Sequence, residues 1–129
     1  MFNITCRSLT ESTEHCIWAS PSKSGFYFDY EYSRNENGGI QLRNVWKSPV
    51  TPARERVGHP NQKPKWLYNR IVRMASPVDG LVLDPMCGSG VTAIVCEGSG
   101  RNCICIEKNP EYHKMAEKGL KECRAGQLF

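Results

Sequence analysis

Nowhere in the 129 residues is there a run of about 18 apolar residues, and Met1 to Cys16 lacks the apolar centre of a signal peptide. A membrane span is thereby excluded, and a soluble cytosolic protein is expected. No two cysteines stand as C-x-x-C, so the spacing of a structural zinc site is missing and no metal ligand is assigned. The seven cysteines (Cys6, Cys16, Cys87, Cys96, Cys103, Cys105 and Cys123) are odd in number and cannot all pair within one chain, which points to reduced thiols. A clustered basic stripe is also lacking. The net charge of +4 divides into +1 before His59 (seven basic, six acidic) and +3 after it (ten basic, seven acidic). That balance permits nucleic-acid binding without arguing for it.

What is present is a length suited to one modest core, with a change of texture near residue 58. Earlier, aromatic and β-branched residues sit in short runs, Glu14–Ala19 and Gly25–Tyr30, separated by Pro21-Ser22-Lys23-Ser24. These runs read as strands joined by turns, with Tyr27, Tyr30 and Tyr32 as core. Ser33 to Gly39 reads as a loop, and Pro49, Pro52 and Gly58 keep the connector after Val45-Trp46 irregular. Arg54 and Arg56, in that connector, are candidates for phosphate contacts.

After Pro64 the pattern alternates between helix and strand. Lys65 to Ala75 places Trp66, Leu67, Ile71, Met74 and Ala75 near one helical face, between a starting proline and the stop at Ser76-Pro77. Leu81-Val82-Leu83 is a short buried strand, Gly88-Ser89-Gly90 opens a helix through about Glu97, and Gly98 to Gly100 ends it. Cys103 to Ile106 is the next strand. Asn109 as N-cap and Pro110 at the first position start a last helix to about Arg124. The expected class is α/β, with N-terminal β-strands followed by α-β-α-β-α.

A strand ending in Asp84, a glycine turn, a helix and a second strand ending in an acid form one nucleotide-binding βαβ unit. Gly88 and Gly90 let the backbone approach a ligand and adopt positive φ, while the helix start offers N–H groups to a carboxylate. Glu107 lies 23 positions after Asp84, where an acid at the second strand's tip meets a ribose diol. The bare glycine pattern also fits a strand-to-helix turn that binds nothing.

Asp84-Pro85-Met86-Cys87-Gly88-Ser89-Gly90 followed by Thr92 resembles the D-P-x-x-G-S-G-x-T cofactor motif of DNA amino-methyltransferases. His59-Pro60-Asn61-Gln62-Lys63-Pro64 resembles the H-P-x-Q-K-P block that precedes that motif in the permuted β-type members, and Ile106 to Tyr112 resembles the segment that follows it. The resemblance implies a partial Rossmann-like methyltransferase fold that binds S-adenosyl-L-methionine (SAM). The methionine part would lie near Asp84, Pro85, Met86, Cys87, Gly88, Ser89, Gly90 and Thr92, with His59, Asn61, Gln62 and Lys63 alongside. The ribose would meet Glu107, and Lys108 and Asn109 would border the adenine. Met86 stands where the family usually has an aromatic, which keeps an apolar contact but loses stacking.

The family holds its flipped target base with a D/N/S-P-P-Y/F/W tetrapeptide. No such tetrapeptide occurs in this chain, so no catalytic residue is assigned; Asn109-Pro110-Glu111-Tyr112 lacks the second proline. The resemblance therefore implies the C-terminal portion of an adenine-N6 or cytosine-N4 methyltransferase, bacterial or phage-type and cytoplasmic, acting on double-stranded DNA. Residues 1–58 would link to the missing catalytic half or contact DNA, through Tyr27, Tyr30, Tyr32, Arg34 and Arg43 if these are not core, and 59–129 would form the SAM-binding part. Partners expected are a second chain supplying that half, or a second copy. Two alternatives stay open. One is a remnant that binds SAM or DNA without catalysis. The other is a dehydrogenase, for which Ala93 is a permitted third residue of G-x-G-x-x-G; Pro85 and the H-P-x-Q-K-P block stand against it.

Overall fold

The computed structural model describes residues 13–47 and 51–126. Pro49 and Cys6, noted above, lie outside them. The helices are α1 (Tyr30–Asn35), α2 (Lys65–Ala75), α3 (Val91–Ser99) and α4 (Pro110–Arg124), with a 3-10 turn at Ala53–Glu55. The strands are β1 (Leu81–Asp84) and β2 (Asn102–Cys105). From α2 onward the order is the expected α-β-α-β-α.

The two strands run parallel, Leu81 opposite Asn102 and Asp84 opposite Cys105. Parallel neighbours need a crossover, and α3 supplies it. Residues Val91 to Cys96 of α3 are all buried, because the helix lies between α2 and α4 and against the sheet. Val72, Val91, Val95 and Cys96 form the core, with Tyr68, Val82 and Cys103 packed on it. Each buried valine there contributes roughly 1.5–3 kcal/mol relative to exposure. The side chains alternate along both strands. Val82 and Cys103 face the helices, while Leu81, Leu83 and Ile104 are 65%, 62% and 50% exposed.

The ends of the elements follow local chemistry. Helix α2 begins after Pro64, and the carboxylate of Glu55 accepts from the Lys65 N–H at 3.1 Å, satisfying a first-turn donor from outside the helix. At its other end, Arg101 reaches the Ser76 carbonyl at 3.1 Å and also the Ser99 carbonyl, joining the ends of α2 and α3. Gly100, at φ +69°, closes α3 in the left-handed conformation usual for such a cap.

The N-terminal strands do not form. Residues 13–29 carry no strand, and Tyr30 opens helix α1 rather than closing a strand. The alternating aromatics had the strand pattern, but a strand needs a hydrogen-bonded neighbour, and among the described residues β1 and β2 pair only with each other. Instead Trp18 meets Phe26 and Phe28 edge to face, with centroids 6.3 and 5.7 Å apart. Tyr27 and Tyr30 are exposed rather than core, at 41% and 46%. The expected loop at Ser33 to Gly39 is helical as far as Asn35. Asp29 is the reason: its side chain accepts from the Tyr32 N–H at 2.8 Å and caps the helix, with Glu31 in the first turn.

Helix α1 docks on α2 through aromatic and cationic contacts. Arg70 lies 5.1 Å from the Trp46 ring centroid and 5.3 Å from that of Trp66, and it pairs with Glu36 at 3.3 Å. Arg73 lies over Tyr32 at 5.4 Å, and the Asp29 N–H donates to the Met74 carbonyl.

Candidate functional site

The glycine turn joins the carboxyl end of β1 to α3. Asp84, the last residue of β1, accepts from the Met86 N–H at 3.1 Å through one oxygen, and from the Thr92 hydroxyl through the other. Thr92 is 3% exposed, so the acid is tied to the first turn of α3 by a buried partner. Gly88 and Gly90 have φ of +53° and +80°, values that glycine alone adopts without strain. A methyl group on Gly90 would lie 2.5 Å from Cβ of Ala116, so α4 approaches the turn closely at that point.

Glu107 stands just beyond β2 and reaches back to the same turn. One oxygen accepts from the Gly88 N–H at 2.9 Å and the other from the Asn109 N–H at 2.8 Å. These bonds, that from Asn109 first, hold its carboxyl below the usual carboxylate range, and nearby His59 acts in the same direction. Asn109 also caps α4, its side chain accepting from the Glu111 N–H at 2.9 Å. The Cys87 N–H donates to the Ile106 carbonyl at 3.0 Å and continues the strand pairing into the turn. Asp84, Cys87, Gly88, Gly90, Thr92, Glu107 and Asn109 therefore form one connected group at the tip of the sheet.

His59 joins that group from the connector. Its Nδ1 accepts from the Asn61 N–H at 3.2 Å, its ring meets Tyr112 edge to face at 4.2 Å, and a methyl group on Gly88 would lie 3.1 Å from its Nε2. The other residues of its block turn elsewhere. Gln62 braces the connector, accepting from the Val57 N–H at 2.9 Å and donating to the Glu55 carbonyl at 2.5 Å. Lys63 pairs with Glu14 at 2.6 Å. Pro85 and Lys108 are exposed, and Met86 is 83% exposed with its apolar chain presented outward. Ser89 is buried and lines a cavity of about 360 Å³ between the connector and helices α3 and α4. A second hollow of about 400 Å³ lies beside His59. Neither is lined by Asp84 or Glu107, which sit instead at the open tip of the sheet.

Tyr112 and Glu55 are the residues that sequence reasoning passed over. Tyr112 is the aromatic of the last block, and its position in the first turn of α4 was the available signal. Glu55 gave no sequence signal, because its carboxylate caps a helix ten positions away.

The thiols of Cys87, Cys96 and Cys105 are all shifted toward the neutral form by burial, Cys96 to about 12. Every cysteine among the described residues is free, and those residues hold no cluster of three or more groups arranged to bind a metal ion. No helix among them is long and apolar enough to cross a membrane.

The family described as DNA methylase matches residues 1–118. The Type II methyltransferase M2.LlaDCHI of Lactococcus lactis subsp. cremoris is 37% identical over 124 residues, covering 93% of this chain and 46% of its own length. M2.DpnII of Streptococcus pneumoniae is likewise 37% identical over 123 residues, covering 92% of this chain and 46% of its own. The chain thus spans about half the length of the curated relatives it matches. Among solved structures, the M1.HpyAVI–SAM complex is 32% identical with a TM-score of 0.60, over 76% of this chain and 45% of that one. The cytosine-N4-specific PvuII DNA methyltransferase is similar in fold, at 24% identity and a TM-score of 0.56, over 72% of this chain and 35% of its own.

Proposed function

The chain belongs to the DNA methylase family, and from that premise we propose that it forms the SAM-binding part of a site-specific DNA methyltransferase, which methylates the exocyclic amine of a flipped adenine (N6) or cytosine (N4). The observation that carries the reading is Glu107, a carboxylate at the tip of β2 held ionised by two backbone N–H groups and facing the glycine turn that Asp84 anchors. This donor set suits the cofactor. A carboxylate accepts both hydroxyl protons of a ribose diol, and a helix opening on glycine accommodates a ligand carboxylate.

Bound SAM supplies an activated methyl group, and the residues of this chain hold and orient it. Glu107 takes the ribose, while Asp84, Pro85, Cys87, Gly88, Ser89, Gly90 and Thr92 shape the cradle for the methionine part. Met86 gives the cofactor an apolar contact, Lys108 and Asn109 border the adenine, and His59 and Asn61 support the turn. Gln62 serves this site indirectly, by fixing the connector. Lys63 reaches the cofactor by leaving Glu14, which costs little because exposed ion pairs are worth at most about 1 kcal/mol. Rate acceleration comes chiefly from positioning amine and methyl in line.

The tetrapeptide that grips the base is supplied from outside these 129 residues, by a second chain or another segment that also covers the bare face of Leu81, Leu83 and Ile104. Double-stranded DNA is the substrate, with exposed Arg54 a phosphate contact; Arg56 is partly committed to the Thr51 carbonyl. A Type II modification enzyme of this kind works in the cytoplasm. The absent tetrapeptide favours one second reading, a module that binds cofactor or DNA without catalysis.

Calorimetric titration with SAM, with NAD as control and Glu107→Ala as variant, tests the proposal. Saturable SAM binding that weakens by about 1–3 kcal/mol in the variant is expected, the usual cost of a lost charged hydrogen bond. No binding at millimolar SAM would overturn the cofactor role, and equal binding of NAD would revive the dehydrogenase. Methyl transfer to duplex DNA that appears only on adding a chain bearing the tetrapeptide separates an enzyme part from a binding module.

A further inference from the structure

Besides its approach to Gly90, helix α4 touches the connector residue that lies against the glycine turn. Tyr112, in the first turn of α4, meets the ring of His59 edge to face with centroids 4.2 Å apart and planes at 62°. His59 meets the Asn61 N–H at Nδ1, which leaves Nε2 as the ring nitrogen on the side of the glycine turn. That Nε2 is the atom nearest the place a Cβ would take on Gly88, at 3.1 Å. Gly88 donates its N–H to one oxygen of Glu107, and the other oxygen is held by Asn109, the cap of the helix that carries Tyr112.

The contacts close a circuit from Glu107 through Gly88, His59, Tyr112 and α4 to Asn109 and back to Glu107. Two separate loops grip the carboxylate, and the ring pair is the side-chain link between them. The other ties between the two loops are the Cys87 to Ile106 backbone bond on one side of Gly88 and the approach of Ala116 to Gly90 on the other, and the turn between them has two glycines in the left-handed region. We infer that Tyr112 is a positioning residue for the cofactor, acting through His59 and Gly88 to hold Glu107 where it meets the ribose. The inference rests on the SAM-binding reading above and adds to it a residue that does not touch the ligand.

The test compares SAM affinity by calorimetry in the full chain carrying Tyr112→Phe, Tyr112→Met, His59→Gln, and Tyr112→Met combined with His59→Gln. Methionine keeps apolar volume and helix propensity but has no ring edge. Phenylalanine should bind within about twofold of the parent, and methionine roughly three- to tenfold more weakly, the range an edge-to-face pair supports. The combined variant should bind about as weakly as the weaker of its two single variants, since both break one link. In parallel, the amide resonance of Gly88 should move in Tyr112→Met and not in Tyr112→Phe, without ligand present. A purely structural role would lower thermal stability and leave that resonance in place. Tyr112→Met that binds SAM as the parent does, or an unmoved Gly88 amide, overturns the inference. A parent chain that fails to bind SAM overturns the cofactor reading itself, and this inference with it.

Discussion

Replacing Gly90 with alanine tests whether the glycine turn and helix α4 are packed as one unit. A non-glycine residue in the left-handed region costs roughly 1–2 kcal/mol, and Gly90 has φ +80°. The added methyl group would lie 2.5 Å from Cβ and 2.7 Å from Cα of Ala116, and overpacking of this kind costs roughly 1–3 kcal/mol more. Gly90→Ala is thus expected to lose about 2–5 kcal/mol, a large share of the roughly 5–15 kcal/mol that holds a domain folded. Ala116→Gly alone should cost about 1 kcal/mol, as glycine does inside a helix. The double variant removes the 2.5 Å contact with Cβ but leaves Cα of Ala116 at 2.7 Å, so only part of the clash is relieved, and it should lose less than the sum of about 3–6 kcal/mol that independent effects would give. Urea unfolding followed by helical circular dichroism measures all four members of the cycle. Strict additivity would refute the close approach of α4 and leave Gly90 required for its backbone alone.

Three other outcomes follow from the site. Thr92→Val, which keeps the shape but removes the hydroxyl donating to Asp84, should destabilise the chain by roughly 1.5–3 kcal/mol in urea titration, while Thr92→Ser should cost less. Because Glu107 is held below the ordinary carboxylate value of about 4.3, its contribution to stability is complete above that pH and is lost as pH falls through the lower folded value. Glu107→Gln should accordingly flatten the stability profile below about pH 4.3 and leave its slope near pH 7 unchanged. Finally, iodoacetamide at pH 8 should label exposed Cys16 before buried Cys96 and half-buried Cys105, whose thiols stay protonated; mass spectrometry of tryptic peptides reads the order, and early labelling of Cys96 would contradict its burial.

How much of this was legible depended on whether an element carried its own punctuation. Helix α2 occupies the expected span, Lys65–Ala75, because Pro64 and Ser76-Pro77 bracket it, but it meets the core through Val72 and Tyr68 rather than through the expected face, of which Ala75 is exposed. The βαβ unit was equally readable, since Gly88, Gly90 and Gly100 mark both ends of α3 by backbone requirement. The N-terminal aromatics misled for the converse reason. Period-two alternation says what a segment does beside a neighbouring strand, and among the described residues none lies beside it. At the site, the spacing of Asp84, Gly88 and Glu107 was visible, but the tasks of Gln62 and Lys63 were not. Gln62 spends its amide on the connector and Lys63 its charge on Glu14, both partners that no local pattern announces.

The two-stranded sheet has a consequence for handling the chain. Among the described residues its edges have no further strand beside them, and neither Leu-Val-Leu-Asp nor Asn-Cys-Ile-Cys holds the lysine or proline with which natural edge strands repel one another. Leucines standing on the bare face make such an edge self-complementary. Expressed alone, the chain should therefore show concentration-dependent turbidity and a rising light-scattering mass, and anything that caps those edges should act on it as a solubilising chaperone does.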